Sequence, residues 1–396
     1  MLKLILSLAL VLFSWTAVSA EPAGTTTKAA VATAKKAKPA RKPVPKGPPA
    51  KELFAAASTP APLAARAIGA YSKGCLSGGV PLSLNGPNWQ VMRLARNRNW
   101  GHPRLIDYLE RLASDARALD GWPGLLVGDL SQPRGGPMLT GHTSHQIGLD
   151  GDIWLTPMPD RTLSWQERED VEALSMLKDP FSVDPNVFTI QQVKLIKRAA
   201  SYPELERIFV HPAIKKALCE QAPSIGNERA WLGKVRPWWN HHYHFHVRLS
   251  CPPGVAGCDN QKPVLGDDGC GQELKNWYEM LRKSAIWQAE QQVKLDTVKP
   301  DTVKPDTKPA PKKKAMTLAD LPKDCSTVIA AGGNKPVVAA SADAMPVALT
   351  AAANSKEAGP PVPVLDPDAL KALRSGKPVT ALSNVAMPLP ERNPVR

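Results

Sequence analysis

What most limits the folding of this chain is where it cannot pack. Forty prolines among 396 residues fall heavily in Ala/Lys/Pro tracts near the two ends. Proline removes a backbone donor, and tracts of low hydrophobicity bury too little apolar surface to offset the entropy of folding. Length alone would allow more than one domain. The tracts leave room for a single folded unit between tails. The expected order is a leader over 1–20, a basic disordered linker over 21–62 and a folded domain over 63–290. A Pro/Lys spacer over 291–327 and an Ala/Pro-rich disordered tail over 328–396 complete it.

The leader "MLKLILSLALVLFSWTAVSA" has a positive Lys3, an apolar run from Leu4 to Phe13 and small residues ending at Ala20. That pattern is a secretory signal peptide, with a cut expected before Glu21. The alternative, an uncleaved anchor, has an apolar run short for a membrane span. No Cys follows the cut to carry a lipid, so no stable membrane anchor is expected after cleavage. Six cysteines, at 75, 219, 251, 258, 270 and 325, suit an exported chain with three disulfides, and no CxxC pair suggests a zinc–thiolate site. The formal charge is +14, and residues 22–51 hold eight Lys or Arg and no acid. Such a stretch either draws the chain to an anionic polymer or lipid head groups, or merely keeps a solvated linker extended. Nucleic acid is not an expected partner outside the cytoplasm. No motif specifies an oligomeric state.

Within the central unit, apolar residues at 105, 106, 109, 112, 113, 116 and 119 predict a helix over 104–119. Further helices are expected over 166–178, 188–200, 213–222 and 272–288. Strands are expected at "GLLVGDL", "GLDGDIWLT", "RIFVHP" and "YHFHVRL". The spacer "KLDTVKPDTVKPDTKPAPKKK" is a short imperfect repeat with extended character.

Two segments concentrate chemistry. "WWNHHYHFHVRLSC" holds four of the eight histidines within six positions. In a strand, alternate residues share a face, so His244 and His246 project together. Upstream, "GHTSHQIGLDGDIW" offers His142, His145, Asp150 and Asp152, with the two acids on one strand face. His145, Asp152 and His246 make a two-His, one-carboxylate set that zinc accepts, with a fourth position left for water. His244, beside His246, is placed to move a proton. An HxH pair alone carries little weight, because surface histidines are common. Two clusters in one exported chain carry more.

The segments "SQPRGGPM", "GHTSHQIGLDGDIW" and "KVRPWWNHHYHFHVRLSCP" resemble the penicillin-insensitive murein endopeptidases, within the wider lysostaphin, D-Ala-D-Ala peptidase and hedgehog-related metallopeptidase group. The resemblance spans about residues 65–290 and the Cys325 region. It implies zinc on His145, Asp152 and His246, with His142 as an extra ligand or site wall. It implies catalytic roles for His244 and His241. Regular alternation would place His242, not His241, beside His244; the resemblance favours His241, turned inward by a bend after Pro237, with His242 facing solvent. It also implies the pairs Cys75–Cys325, Cys219–Cys270 and Cys251–Cys258. The stretch "LKDPFSVDP" lacks His, so one metal site is expected.

Other residues carry weaker signals. Arg134 can bind a substrate carboxylate or form a structural ion pair. Asp150 can orient a ligand histidine or serve as a buried acceptor. Of the adjacent Trp238 and Trp239, at least one is expected in the core; His102 and His211 are read as structural, and Ser144 sits on no nucleophile elbow. The expected fold is α+β: a small antiparallel sheet carrying the zinc ligands, wrapped by helices and loops and linked by disulfides. The activity that the resemblance implies is that of a periplasmic zinc endopeptidase on peptidoglycan, cutting D-alanyl–meso-diaminopimelate cross-links. A D,D-carboxypeptidase and a non-catalytic murein-binding scaffold are the alternatives.

Overall fold

In the computed structural model, the described residues are 47–264, 266–297 and 315–332, with isolated positions 371 and 375. The expected signal peptide, the linker before 47, the middle of the spacer over 298–314 and nearly all of the tail lie outside them. In chain order the elements begin with α1 (Ala50–Ala55), β1 (Arg66–Ala70), β2 (Lys73–Ser77), β3 (Val80–Pro81), β4 (Asn85–Gly86), β5 (Trp89–Val91) and β6 (Trp100–Gly101). Next come α2 (Pro103–Asp120), β7 (Leu125–Val127), β8 (Asp150–Trp154), α3 (Trp165–Asp170), β9 (Leu177–Asp179), β10 (Ser182–Val183) and α4 (Ile190–Ser201). The rest are β11 (Leu205–Val210), α5 (Pro212–Gln221), β12 (Val235–Pro237), β13 (His244–Leu249), α6 (Gln272–Thr297) and α7 (Asp324–Ala330).

The class is α+β, but the sheet differs from the small antiparallel one expected. Seven strands run in the order β12-β11-β13-β8-β7-β5-β4. The β11–β12 and β5–β7 pairs are parallel, so the sheet is mixed. Its outer strands are two or three residues long, too short to leave a pattern in the sequence. The middle, β11-β13-β8-β7, is antiparallel.

Helix boundaries follow local chemistry. His102 and His211 each precede a proline and cap a helix, their Nδ1 atoms accepting from the amides of Arg104 and Ala213 at 3.2 Å. Proline at the first helical position loses nothing, because that amide has no intrahelical partner. Gly121, at φ 73°, ends α2 in the left-handed region. The face of α2 bearing Leu105, Leu109 and Leu112 joins Val127, Ile153, Phe245 and Val247 from the sheet in one continuous core. The helix expected over 166–178 stops at Asp170; Val171 turns extended, and Leu177–Asp179 pairs back on β10 around Asp179-Pro180. The Phe181 amide donates to Asp179 Oδ1 at 2.8 Å, which stabilises that turn.

The order expected to begin at residue 63 begins earlier. Ala50 and Phe54 of α1 are fully buried, and the Ala50 amide donates to the Met316 carbonyl at 2.8 Å. They share a second core with Ile68, Cys75, Leu321, Cys325 and Val328. The linker composition hides this because the partners lie some 260 residues away. Disulfides join Cys75 to Cys325, Cys219 to Cys270 and Cys251 to Cys258. The first closes a separation of 250 residues and brings the end of the spacer onto β2. Among the described residues, no helix is long and apolar enough to cross a membrane.

Candidate metal centre

The site is built on the β8–β13 pair. Their antiparallel register sets His246 opposite Asp152, Arg248 opposite Asp150 and His244 opposite Trp154. Residues directly opposite share a face, so the polar side chains of both strands converge on one side. Phe245, Val247 and Ile153, on the other side, are wholly buried in the core. A one-residue slip would put the imidazoles into that core and the aliphatic side chains into the site.

His145 comes from the loop that leads into β8. Its φ of 65° is left-handed, which a non-glycine residue adopts at a cost of order 1 kcal/mol unless its surroundings hold it. Three contacts hold it here. The His145 amide donates to Asp150 Oδ2 at 3.2 Å, and its carbonyl accepts from Ser131 Oγ at 2.7 Å. The following carbonyl, of Gln146, accepts from the Gly136 amide at 2.9 Å. Gly148, at φ 72°, then carries the chain into the strand; a Cβ there would lie 2.8 Å from the His102 amide nitrogen and the Leu76 side chain.

Four imidazoles surround the Asp152 carboxylate. His246 Nδ1 lies 3.2 Å and His145 Nε2 3.5 Å from Oδ1, His142 Nε2 3.4 Å from Oδ2, and His244 Nε2 3.7 Å from Oδ1. Burial would raise the Asp152 carboxyl, but His244, His145 and His142 outweigh it and hold it well below the usual range. Burial, with the neighbouring His142, pushes His145 down to about 4, so its ring is neutral near pH 7. Both ring nitrogens of His145 and Oδ1 of Asp152 are buried without a hydrogen-bond partner. Such groups are costly in a native interior, and metal ligation is what would satisfy them. Donor atoms of His142, His145 and Asp152 all lie within 4.8 Å of one another. The set is nitrogen and carboxylate oxygen, which suits a divalent ion such as zinc.

A layer of carboxylates stands behind the imidazoles. Asp150, fully buried, accepts at Oδ1 from His246 Nε2 and from Arg248 Nε, both at 2.7 Å. A carboxylate only accepts, so Asp150 keeps a proton on His246 Nε2, and Nδ1, which faces Asp152 at 3.2 Å, is the nitrogen left to ligate. Arg248 and His246 together outweigh burial and keep Asp150 ionised. Asp129, at the exit of β7, holds the His142 nitrogen that also faces Asp152: its Oδ2 accepts from His142 Nε2 at 3.1 Å, Arg98 Nη1 at 2.6 Å and Arg96 Nη1 at 3.0 Å. Sequence reasoning passed over Asp129; the available signal was one acid inside the apolar run "GLLVGDL".

His241 and His242 part ways at a bend. Asn240 and His241 have φ values of 64° and 36°, and this turns the His241 ring inward, 4.9 Å from His244 and 5.8 Å from His246 between centroids. Its Nδ1 meets the Trp239 carbonyl at 2.6 Å. A carbonyl cannot donate, so Nδ1 carries the proton and Nε2 keeps its lone pair. Burial and the nearby imidazoles of His244 and His246 hold His241 neutral, well below its usual pKa. His242 points away, but not into solvent as expected: it is 7 % exposed and pairs through Nδ1 with Ser175 Oγ at 3.0 Å. Segment 171–176, expected as helix, is the strip that covers it.

Arg134 corrects a second expectation. It is 5 % exposed, and its guanidinium donates to the carbonyls of Thr59, Val328, Ile329 and Ala331 at 2.8–3.0 Å. Four backbone carbonyls occupy its Nε and Nη1 groups, which gives the side chain a structural role. Trp238 and Trp239 both contact Trp277 of α6, with centroids 5.8 and 5.3 Å apart, and both remain partly exposed.

The chain is similar to known proteins over most of its described length. A family model described as penicillin-insensitive murein endopeptidase matches residues 67–330. A protein of that name from Haemophilus influenzae is 48 % identical over 213 residues, covering 54 % of this chain and 73 % of the relative. One from Klebsiella pneumoniae is 43 % identical over 216 residues, 54 % of this chain and 77 % of the relative. One from Pectobacterium atrosepticum is 41 % identical over 222 residues, 56 % and 77 %.

Proposed function

The chain belongs to the penicillin-insensitive murein endopeptidase family, and from that premise we propose that it is a zinc-dependent hydrolase of murein, cutting the bond between D-alanine and meso-diaminopimelate in cross-linked stem peptides. The observation that supports this most is the meeting of His145, Asp152 and His246, with the His145 ring nitrogens buried and unsatisfied. Those three would hold the ion, with His142 as a further donor or wall. When bound, zinc supplies Lewis acidity and brings the pKa of water within its reach to roughly 7.

The remaining work falls to side chains of this protein. His244, on the same face as His246 and facing Asp152, takes the proton released in the attack on the amide carbonyl and passes it to the leaving amine. His241, a neutral ring with its Nε2 lone pair uncommitted to Trp239, stands beside His244 to accept or stabilise charge. Asp150 fixes the tautomer and direction of His246. This scheme has no serine nucleophile, so β-lactams, which acylate such serines, leave the activity intact. Murein lies outside the inner membrane, so the location that goes with this reading is the periplasm, after loss of residues 1–20.

The test is digestion of purified cross-linked and monomeric muropeptides, with and without a chelator, followed by mass analysis. Chelator-sensitive conversion of dimers to monomers that keep their terminal D-alanine is expected. Loss of that D-alanine with dimers intact would make the protein a D,D-carboxypeptidase. Binding without cleavage of either would make it a scaffold.

A further inference from the structure

Arg134 has no place in the chemistry above, yet it stands where three distant parts of the chain meet. We propose that Arg134 is a positioning residue through which the segment carrying Cys325 sets how firmly the His142–His145 loop holds a divalent ion. This rests on the metal reading of the site.

On one side, Arg134 Nη1 bonds the carbonyls of Val328, Ile329 and Ala331 at the end of α7, and Nε bonds Thr59 after α1. On the same side, the Arg134 carbonyl accepts from the Leu76 amide at 2.9 Å, next to the Cys75–Cys325 disulfide. On the other side, the two glycines that follow Arg134 press against the residue after His145. The Gly136 amide bonds the Gln146 carbonyl, and a Cβ on Gly135 would lie 2.1 Å from that same oxygen. A Cβ on Gly136 would lie 2.2 Å from the Phe54 ring of α1. "RGG" is thus a wedge with no slack: the terminal segments bear on one edge and the His145 backbone on the other. His145 needs such support, since its left-handed conformation persists only where neighbours over-determine it. Loosening the wedge lets the ring leave the position from which it would ligate.

The probe is Zn2+ alone, titrated into metal-free full-length protein against a chromophoric chelator, with folding followed by circular dichroism. Arg134→Met is expected to weaken zinc binding about 10- to 100-fold, as other supports of metal ligands do. Arg134→Lys restores part of the loss, and a Cys75→Ser/Cys325→Ser pair reproduces it. Arg66→Ser, which removes only the exposed Arg66–Asp324 ion pair to the same segment, keeps the parental affinity. A measurement on the unaltered protein covers variants that fail to fold. Coupling is reciprocal, so zinc loading slows hydrogen exchange at the Leu76 and Ala331 amides, which bond the Arg134 and Thr327 carbonyls. Parental zinc affinity in folded Arg134→Met, or unchanged exchange at both amides, overturns the proposal while the metal reading stands. A parent that takes up no zinc removes both.

Discussion

Replacing Asp150 by Asn keeps the side chain's shape and removes one buried charge. Oδ1 accepts from His246 Nε2 and Arg248 Nε at 2.7 Å, and Oδ2 accepts from the His145 amide at 3.2 Å. An asparagine can leave its oxygen on the Oδ1 side, but its NH2 group then faces the His145 N–H, donor against donor. Two charge-assisted bonds lose their anionic acceptor, each weakening by about 1 kcal/mol, and a third disappears at about the same cost. The sum is about 3 kcal/mol of folding stability, read from urea denaturation of the metal-free protein. The His246 imidazole also loses the anion behind it, which weakens zinc binding by about 10- to 100-fold, or roughly 1.4–2.7 kcal/mol. Chelator competition measures that loss. A folded Asp150→Asn variant with parental stability and parental zinc affinity would refute the claim that this carboxylate orients the site.

Asp129→Ala leaves Arg98 without its buried acceptor and His142 without its orienting anion; a loss of about 3–5 kcal/mol in urea denaturation is expected, and a change under 1 kcal/mol would contradict it. His242→Phe retains full zinc stoichiometry, because that ring faces Ser175, whereas His241→Phe lowers kcat by about 100-fold or more; loss of zinc from His242→Phe would reverse the two assignments. Lys215 is wholly buried, and burial pushes its amine down from 10.5 to about 7. Between those values the unfolded chain holds a proton that the folded chain sheds, so stability rises with pH, by at most about 1.4 kcal/mol per unit. Urea midpoints of the parent should climb between pH 7 and 9 and flatten in Lys215→Met; parallel slopes would show that this amine does not titrate there.

The parts of this fold legible in the sequence are those whose signal is local. The 104–119 periodicity becomes α2, and the alternation of "YHFHVRL" becomes β13 with His244 and His246 on one face. His145, Asp152 and His246 could be named together because each sits in a motif that its strand or loop displays by itself. What escaped depends on partners far along the chain. Arg134 looked available because the carbonyls of 328–331 that occupy it are some 195 positions away. Residues 47–62 looked like linker because Phe54 finds its core only when Cys325 arrives. His242 looked solvent-facing because its cover is a strip that a helical pattern had claimed. The edge strands β4 and β12, two and three residues long, carry no period at all.

The central claim is that side chains from the β8 approach and from β13 hold one divalent ion with nitrogen and carboxylate donors. X-ray absorption at the zinc edge, on the full-length protein loaded to saturation and desalted, tests it directly. The account predicts one zinc per chain with only nitrogen and oxygen neighbours at about 2.0–2.2 Å, and no retained zinc in His145→Ala or His246→Ala. A full equivalent of zinc in both variants, sulfur in the coordination shell, or an empty parent would contradict it.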